Sequence, residues 1–218
     1  MADELLYDAG DFGPWLKSKL DPSTLANAVV ACGDCSACCS TFDAIPIGRD
    51  EPATLAAIPV EFLQRVENQA TGTTLLLTSE THVCPMLRDG ACSIYDVRPR
   101  ACRIFDCRTM AAADLVDKEG RHAAMGERVD KWVFSYETDD DRARQLAVLD
   151  AVEFIYRHPT AFRSRGFSYE PSWTATQAIR IHELFLPERE KNQETEIALI
   201  SEAIAIMRRW ADIEHRVD

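Results

Sequence analysis

No apolar run in this sequence approaches the ~20 residues that a membrane-spanning helix needs. The first residues, Met1 to Tyr7, also lack the basic and continuously apolar stretches that direct export. A cytoplasmic protein with no membrane partner is therefore expected. Positive charge is scarce: 24 Lys and Arg stand against 36 Asp and Glu, a formal charge of -12. The molecule as a whole repels phosphate backbones, so no nucleic-acid partner is expected. Glycine loops of the G-x-x-x-x-G-K-[ST] and G-x-G-x-x-G types are missing, and His82, His122, His158, His182 and His215 form no H-E-x-x-H pair. Phosphate-cradle and histidine-zinc hydrolase chemistry lose their support. Cysteine is missing from most of the chain as well, since none precedes Cys32 and none follows Cys107.

What is present is an ordinary globular composition, 46% apolar and 28% charged over 218 residues, enough to bury a core without disulfide staples. Eight cysteines nevertheless crowd into one third of the chain. Cytoplasmic thiols stay reduced, and scattered core cysteines would not cluster in this way. Reduced, clustered thiols call for a metal.

The first group is Cys32-Gly33-Asp34-Cys35-Ser36-Ala37-Cys38-Cys39, a C-x2-C-x2-C-C run, and the second comprises Cys84, Cys92, Cys102 and Cys107. A C-x2-C step lets a tight turn bring two sulfurs to one ion, and Gly33, Ser36 and Ala37 let the backbone approach closely. All eight cysteines are candidate ligands. Adjacent Cys38 and Cys39 are expected to diverge, which favours two centres or a bridged cluster over one centre with spare thiols. His82, two residues before Cys84, is not counted, because eight thiolates suffice. An all-sulfur set selects zinc, copper(I) or iron–sulfur chemistry over magnesium, calcium or manganese. Zinc is preferred to iron because closed all-cysteine sites are typical of structural zinc.

Arg88, Arg98, Arg100, Arg103 and Arg108 surround the second group. Four thiolates on one Zn(II) carry a net charge of about -2, which Arg98 and Arg103 are expected to offset from beside the ligands. For Arg100 and Arg108 a solvated turn is an equally good account.

Around the cysteines the pattern is helical. Asp21 and Pro22 open a helix with Leu25, Ala28 and Val29 on its apolar face, and Pro52 opens another through Leu55 and Ile58, restarted after Pro59 through Phe62 and Val66. Ile45 to Gly48 reads as extended, and Thr73 to Thr78 as a strand. Asp139 to Asp141 begin a helix with Leu146, Leu149, Val152 and Ile155 on one face; another runs through Ile179, His182 and Phe185, and the last carries Ile197, Ile200, Ile204, Met207 and Ala211. The expectation is a mainly α protein with little β. A metal-stabilised cysteine region over residues 1–110 would pack on a helical region over 111–218 as one compact unit.

The order C-x2-C-x2-C-C, Cys84-Pro85-Met86-Leu87, Gly90-Ala91-Cys92-Ser93-Ile94-Tyr95, Arg98-Pro99 and Cys102-Arg103-Ile104-Phe105 resembles the YkgJ-type cysteine cluster family, described as a zinc- or iron-chelating domain. The likeness covers about residues 32 to 107. It implies metal chelation by all eight cysteines and places Tyr95, Arg98, Pro99 and Arg103 in the accompanying motif. A flagellin lysine methylase is similar through the same cysteines and is associated with an iron–sulfur cluster. The first expectation is thus a zinc- or iron-binding protein with a structural or metal-handling role. The alternatives are an iron–sulfur redox protein or enzyme, and a thiol redox sensor without metal. No catalytic residue stands out.

Overall fold

A computed structural model describes residues 6–24, 30, 34–41, 44–66, 74–77, 82–116, 119, 122–187, 189 and 195–214. In chain order the regular elements are β1 (Tyr7–Asp11), α1 (Phe12–Lys19), α2 (Ala37–Ser40), β2 (Ile45–Ile47), α3 (Pro52–Ala57), β3 (Leu63–Arg65), β4 (Thr74–Leu76), β5 (Leu87–Arg88), β6 (Ala91–Cys92), α4 (Arg100–Ile104), α5 (Arg108–Ala112), α6 (Ala123–Val129), β7 (Trp132–Ser135), α7 (Asp139–Arg157), α8 (Pro159–Arg163), α9 (Pro171–Ile181) and α10 (Glu196–Glu214). Helix accounts for 58% of the described residues and strand for 12%, so the fold is mainly α, as the periodicity indicates.

The chain divides into two compact units. One comprises residues 1–25, 107–116 and 129–218, and the other residues 26–106 and 117–128. The first and last parts of the chain thus share a unit, whereas the sequence pattern grouped residues 1–110. The cause is a parallel pairing of β1 with β7, in which Tyr7 stands opposite Trp132 and Asp11 opposite Ser135. The register slips between Asp8 and Gly10. Gly10 there adopts a left-handed φ of 84°, which glycine takes without steric cost, and the Asp8 carboxylate accepts its amide hydrogen at 2.8 Å.

α1 follows β1 directly and buries Phe12, Trp15 and Leu16. Phe12 meets Phe134 edge-on at 5.3 Å and lies near Trp15 and Tyr136. Truncating this fully buried ring in Phe12→Ala is expected to cost about 3–5 kcal/mol. Unchanged denaturant unfolding would remove it from the core.

α7 starts from a capping box, the Thr138 hydroxyl accepting from the Asp141 amide and the Asp141 carboxylate from that of Thr138, both at 3.1 Å. Its buried face is Ala147, Val148, Ala151, Val152, Phe154 and Ile155. Leu146, assigned to that face by periodicity, is 61% exposed. Small residues decide the rotation: Ala147 and Ala151 on α7 and Ala175 and Ala178 on α9 are fully buried where these helices pack. α10 buries Ala203, Ile204 and Met207 and leaves Ile197 exposed. The helix expected from Asp21 begins as a single 3-10 turn, Pro22–Thr24; Leu25, Ala28 and Val29 lie outside the described residues.

His182 is fully buried at the end of α9. Its Nδ1 lies 2.7 Å from the Ile179 carbonyl, and since a carbonyl only accepts, Nδ1 carries the proton. Nε2 has no partner among the described residues. Burial lowers the imidazole pKa from 6.5, Glu183 opposing and Arg144 reinforcing the shift. The folded chain thus resists a proton that the unfolded chain accepts, so this contribution is complete above pH 6.5 and declines as pH falls below it. Melting temperature should drop between pH 7 and 5, and His182→Leu should flatten that slope. An identical slope in the variant would assign the acid sensitivity elsewhere.

Candidate metal centre

The unit spanning residues 26–106 is built on a three-stranded antiparallel sheet in the order β2-β4-β3, with Ile45 and Leu63 both opposite Leu76. Pairing with β4 makes Leu63 to Arg65 a strand where helical periodicity suggested a restart after Pro59; only Val60–Phe62 forms a 3-10 turn. Among the described residues a buried core cluster comprises Ile47, Ile58, Leu76, Cys84 and Met86, with Cys39, Ile45, Leu55, Phe62, Leu63, Leu87 and Ile94 packed around it. Two candidate ligands are therefore also core residues.

Cys38 and Cys39 lie on α2, whose Ser40 and Thr41 hydroxyls donate back to the Ser36 and Ala37 carbonyls. The Cys84 amide donates to the Cys39 carbonyl at 2.8 Å and fastens the second cysteine segment to the first. Cys39, partly buried, packs against the core cluster that contains Cys84. The thiols of Cys38, Cys39 and Cys84 influence one another: Cys39 holds its proton, its pKa raised by Cys38 and Cys84. Cys39 in turn brings Cys38 and Cys84 down to about 7.

Cys92 and Cys102 lie in the same electrostatic neighbourhood. The tight β5–β6 turn, with Asp89 at φ 49° and Gly90 at φ 80°, places Cys92 opposite Leu87. Burial raises the Cys92 pKa, and Cys84 and Cys38 repel its anion. Burial and the charges of Cys38, Cys84 and Cys92 push Cys102, on α4, up to about 12. Arg98 opposes the rise at Cys92 and Cys102 and helps to lower Cys38. Its guanidinium carbon lies 4.1 Å from the centroid of the exposed Tyr95 ring.

Arg103 turns elsewhere, donating to the Arg98 carbonyl at 2.5 Å and pairing with Glu51 at 3.6 Å. Glu51, which no sequence motif singled out, is buried and accepts from the Arg100 amide at 2.5 Å and the Gly48 amide at 2.9 Å. Arg100 also pairs with Asp50. Glu51 thereby fixes the start of α4, and with it Cys102. Glu51→Ala leaves buried donors unmatched, a loss of about 2–3 kcal/mol. Glu51→Gln, which keeps one of the two oxygen acceptors, should lose less. Equal melting of Glu51→Ala and the parent would show that Glu51 does not hold α4.

Cys35 is half-buried just ahead of α2. Cys107 lies in the other unit, buried, where its sulfur accepts from the Trp132 indole at 3.1 Å. Cys32 lies outside the described residues. None of the seven described cysteines is in a disulfide.

Among the described residues, no group of three or more His, Cys, Asp or Glu side chains stands in an arrangement that could hold a metal ion. The chemistry of the cysteines still fits a soft ion: the Cys39 and Cys84 segments are joined through the backbone, the thiols of Cys38, Cys84, Cys92 and Cys102 influence one another electrostatically, and Arg98 offsets their charge. No described helix is long and apolar enough to cross a membrane.

Residues 31–124 match the model of the CxxCxxCC family, described as a "Putative zinc- or iron-chelating domain". The match spans both cysteine groups. No curated protein and no solved structure matches the chain.

Proposed function

We propose that this protein binds zinc or iron through the cysteines of residues 32–107, in a structural or metal-handling role. The observation that carries the reading is the Cys84 amide donating to the Cys39 carbonyl at 2.8 Å, which joins the two cysteine groups of the matched segment at a core cluster that contains Cys84 and packs Cys39. Cys92, Cys102, Cys35, Cys32 and Cys107 complete the candidate donors, and Arg98 supplies compensating charge. Arg103 acts through the Arg98 backbone and Glu51.

A metal bound here supplies cross-linking between segments far apart in the chain. The chain's own part is to gather thiols, share their protons, and release them when the cation arrives. A reducing compartment such as the cytoplasm suits this chemistry.

The test is metal analysis with a visible spectrum on the full chain, purified without oxygen from cells supplied with zinc and iron. Colourless protein with stoichiometric zinc supports the structural or handling role. Brown protein containing iron and sulfide transfers the reading to an iron–sulfur redox protein or enzyme. Stoichiometric absence of any metal, with disulfides forming reversibly, would replace it with a thiol sensor.

A further inference from the structure

His82 combines three features. It sits two residues before Cys84, it adopts a left-handed backbone with φ 57°, and its Nδ1 is buried with no hydrogen-bond partner among the described residues. Left-handed backbone is uncommon outside glycine and is retained only where surrounding structure imposes it. Buried polar atoms without partners are equally rare in folded proteins, and each calls for an explanation. A buried imidazole nitrogen can accept from a donor, donate to an acceptor, or ligate a metal.

The surroundings favour ligation. The Cys84 amide is held to the Cys39 carbonyl at 2.8 Å, so the segment carrying His82 is docked on the helix that carries Cys38 and Cys39. Two residues of chain separate Cα atoms by no more than about 7 Å, within the combined reach of an imidazole and a thiol toward one ion. We propose that His82 supplies a nitrogen ligand to the metal centre that includes Cys84, making it a mixed sulfur–nitrogen site; this rests on the metal-binding reading above. Three cysteines with one histidine make an ordinary zinc set. Histidine also replaces cysteine on one iron of some two-iron clusters, where it raises the potential. In either case the nitrogen ligand reduces the negative charge of the centre by one relative to a further thiolate.

The experiment is X-ray absorption at the K edge of the bound metal, on the full chain purified without oxygen, together with metal analysis and chelator competition. Imidazole scattering is expected in the parent chain, absent from His82→Ala and retained in His122→Ala. Metal affinity should fall at least ~10-fold in His82→Ala, no less than is typical for groups that merely orient ligands. A purely structural His82 would not contribute imidazole scattering at the metal. Should His82→Ala fail to fold, His82→Cys keeps a ligand, and sulfur should replace nitrogen in the scattering. Metal bound by sulfur alone in the parent, or an imidazole signal that survives in His82→Ala, overturns the histidine ligand and leaves metal binding intact. A parent chain without stoichiometric metal overturns both.

Discussion

Cys39→Ala is expected to lose bound metal and stability together. Its side chain packs against the core cluster that contains Cys84, its thiol is coupled electrostatically to those of Cys38 and Cys84, and its carbonyl anchors the Cys84 amide. Binding energy at a thiolate site is folding energy, on the order of 10–16 kcal/mol for structural zinc. Losing one ligand should therefore cost well over the ~1 kcal/mol of a small packing defect. A loss of about 3 kcal/mol would lower the melting temperature by roughly 10 °C in a chain of this size. Packing and ligation are separated by Cys39→Ser, which nearly preserves volume but offers a harder, less acidic oxygen. If ligation is what Cys39 contributes, serine is almost as damaging as alanine, and metal analysis falls with the melting point in both. Full metal content with unchanged melting in either variant would remove Cys39 from the ligand set. Cys102→Ala should lose metal in the same way, its thiol being influenced by the charges of Cys38, Cys84 and Cys92.

Which parts of this molecule can be read from the sequence depends on how local their causes are. α7 and α10 are legible because a 3.6-residue pattern, with Asp139 to Asp141 in the first turn of α7, is written within each segment. Their exact facing is less so: Leu146 and Ile197 are apolar yet exposed, since close approach through alanines sets the rotation of α7. β1 is invisible for another reason. Its partner β7 lies more than a hundred residues away, and the Gly13 and Pro14 that follow disguise α1 as a loop. The cysteine group shows in its spacing, because C-x2-C is a local turn geometry. The joining of the Cys39 and Cys84 segments does not, because Cys84 is brought to Cys39 from forty-five residues downstream. Glu51 is the clearest omission. Nothing near it marks a buried carboxylate as structural, and its partners Arg100 and Arg103 become neighbours only when α4 folds back toward α3.

Metal removal should act on one unit first. The unit of residues 1–25, 107–116 and 129–218 has an aromatic core of its own, with Phe12, Trp15 and Phe134 in mutual contact and Phe154 packed against Phe162 and Phe185. The unit of residues 26–106 and 117–128 has a described core cluster of Ile47, Ile58, Leu76, Cys84 and Met86, of which Cys84 is itself a candidate ligand. An ion that ties α2, the Cys84 segment, β6 and α4 together would cross-link segments far apart in the chain. Treating the reduced, metal-loaded chain with a strong chelator should therefore abolish hydrogen-exchange protection at Leu76, Leu87 and Cys102, while amides in α7 and α9 stay protected. Circular dichroism should keep most of its helical signal, because the long helices α7, α9 and α10 all belong to the first unit. Cooperative loss of protection in both units at once would show that the metal supports the whole chain. Unchanged protection in both would show that the fold suffices without an ion, and the structural role proposed for the thiolates would then fall.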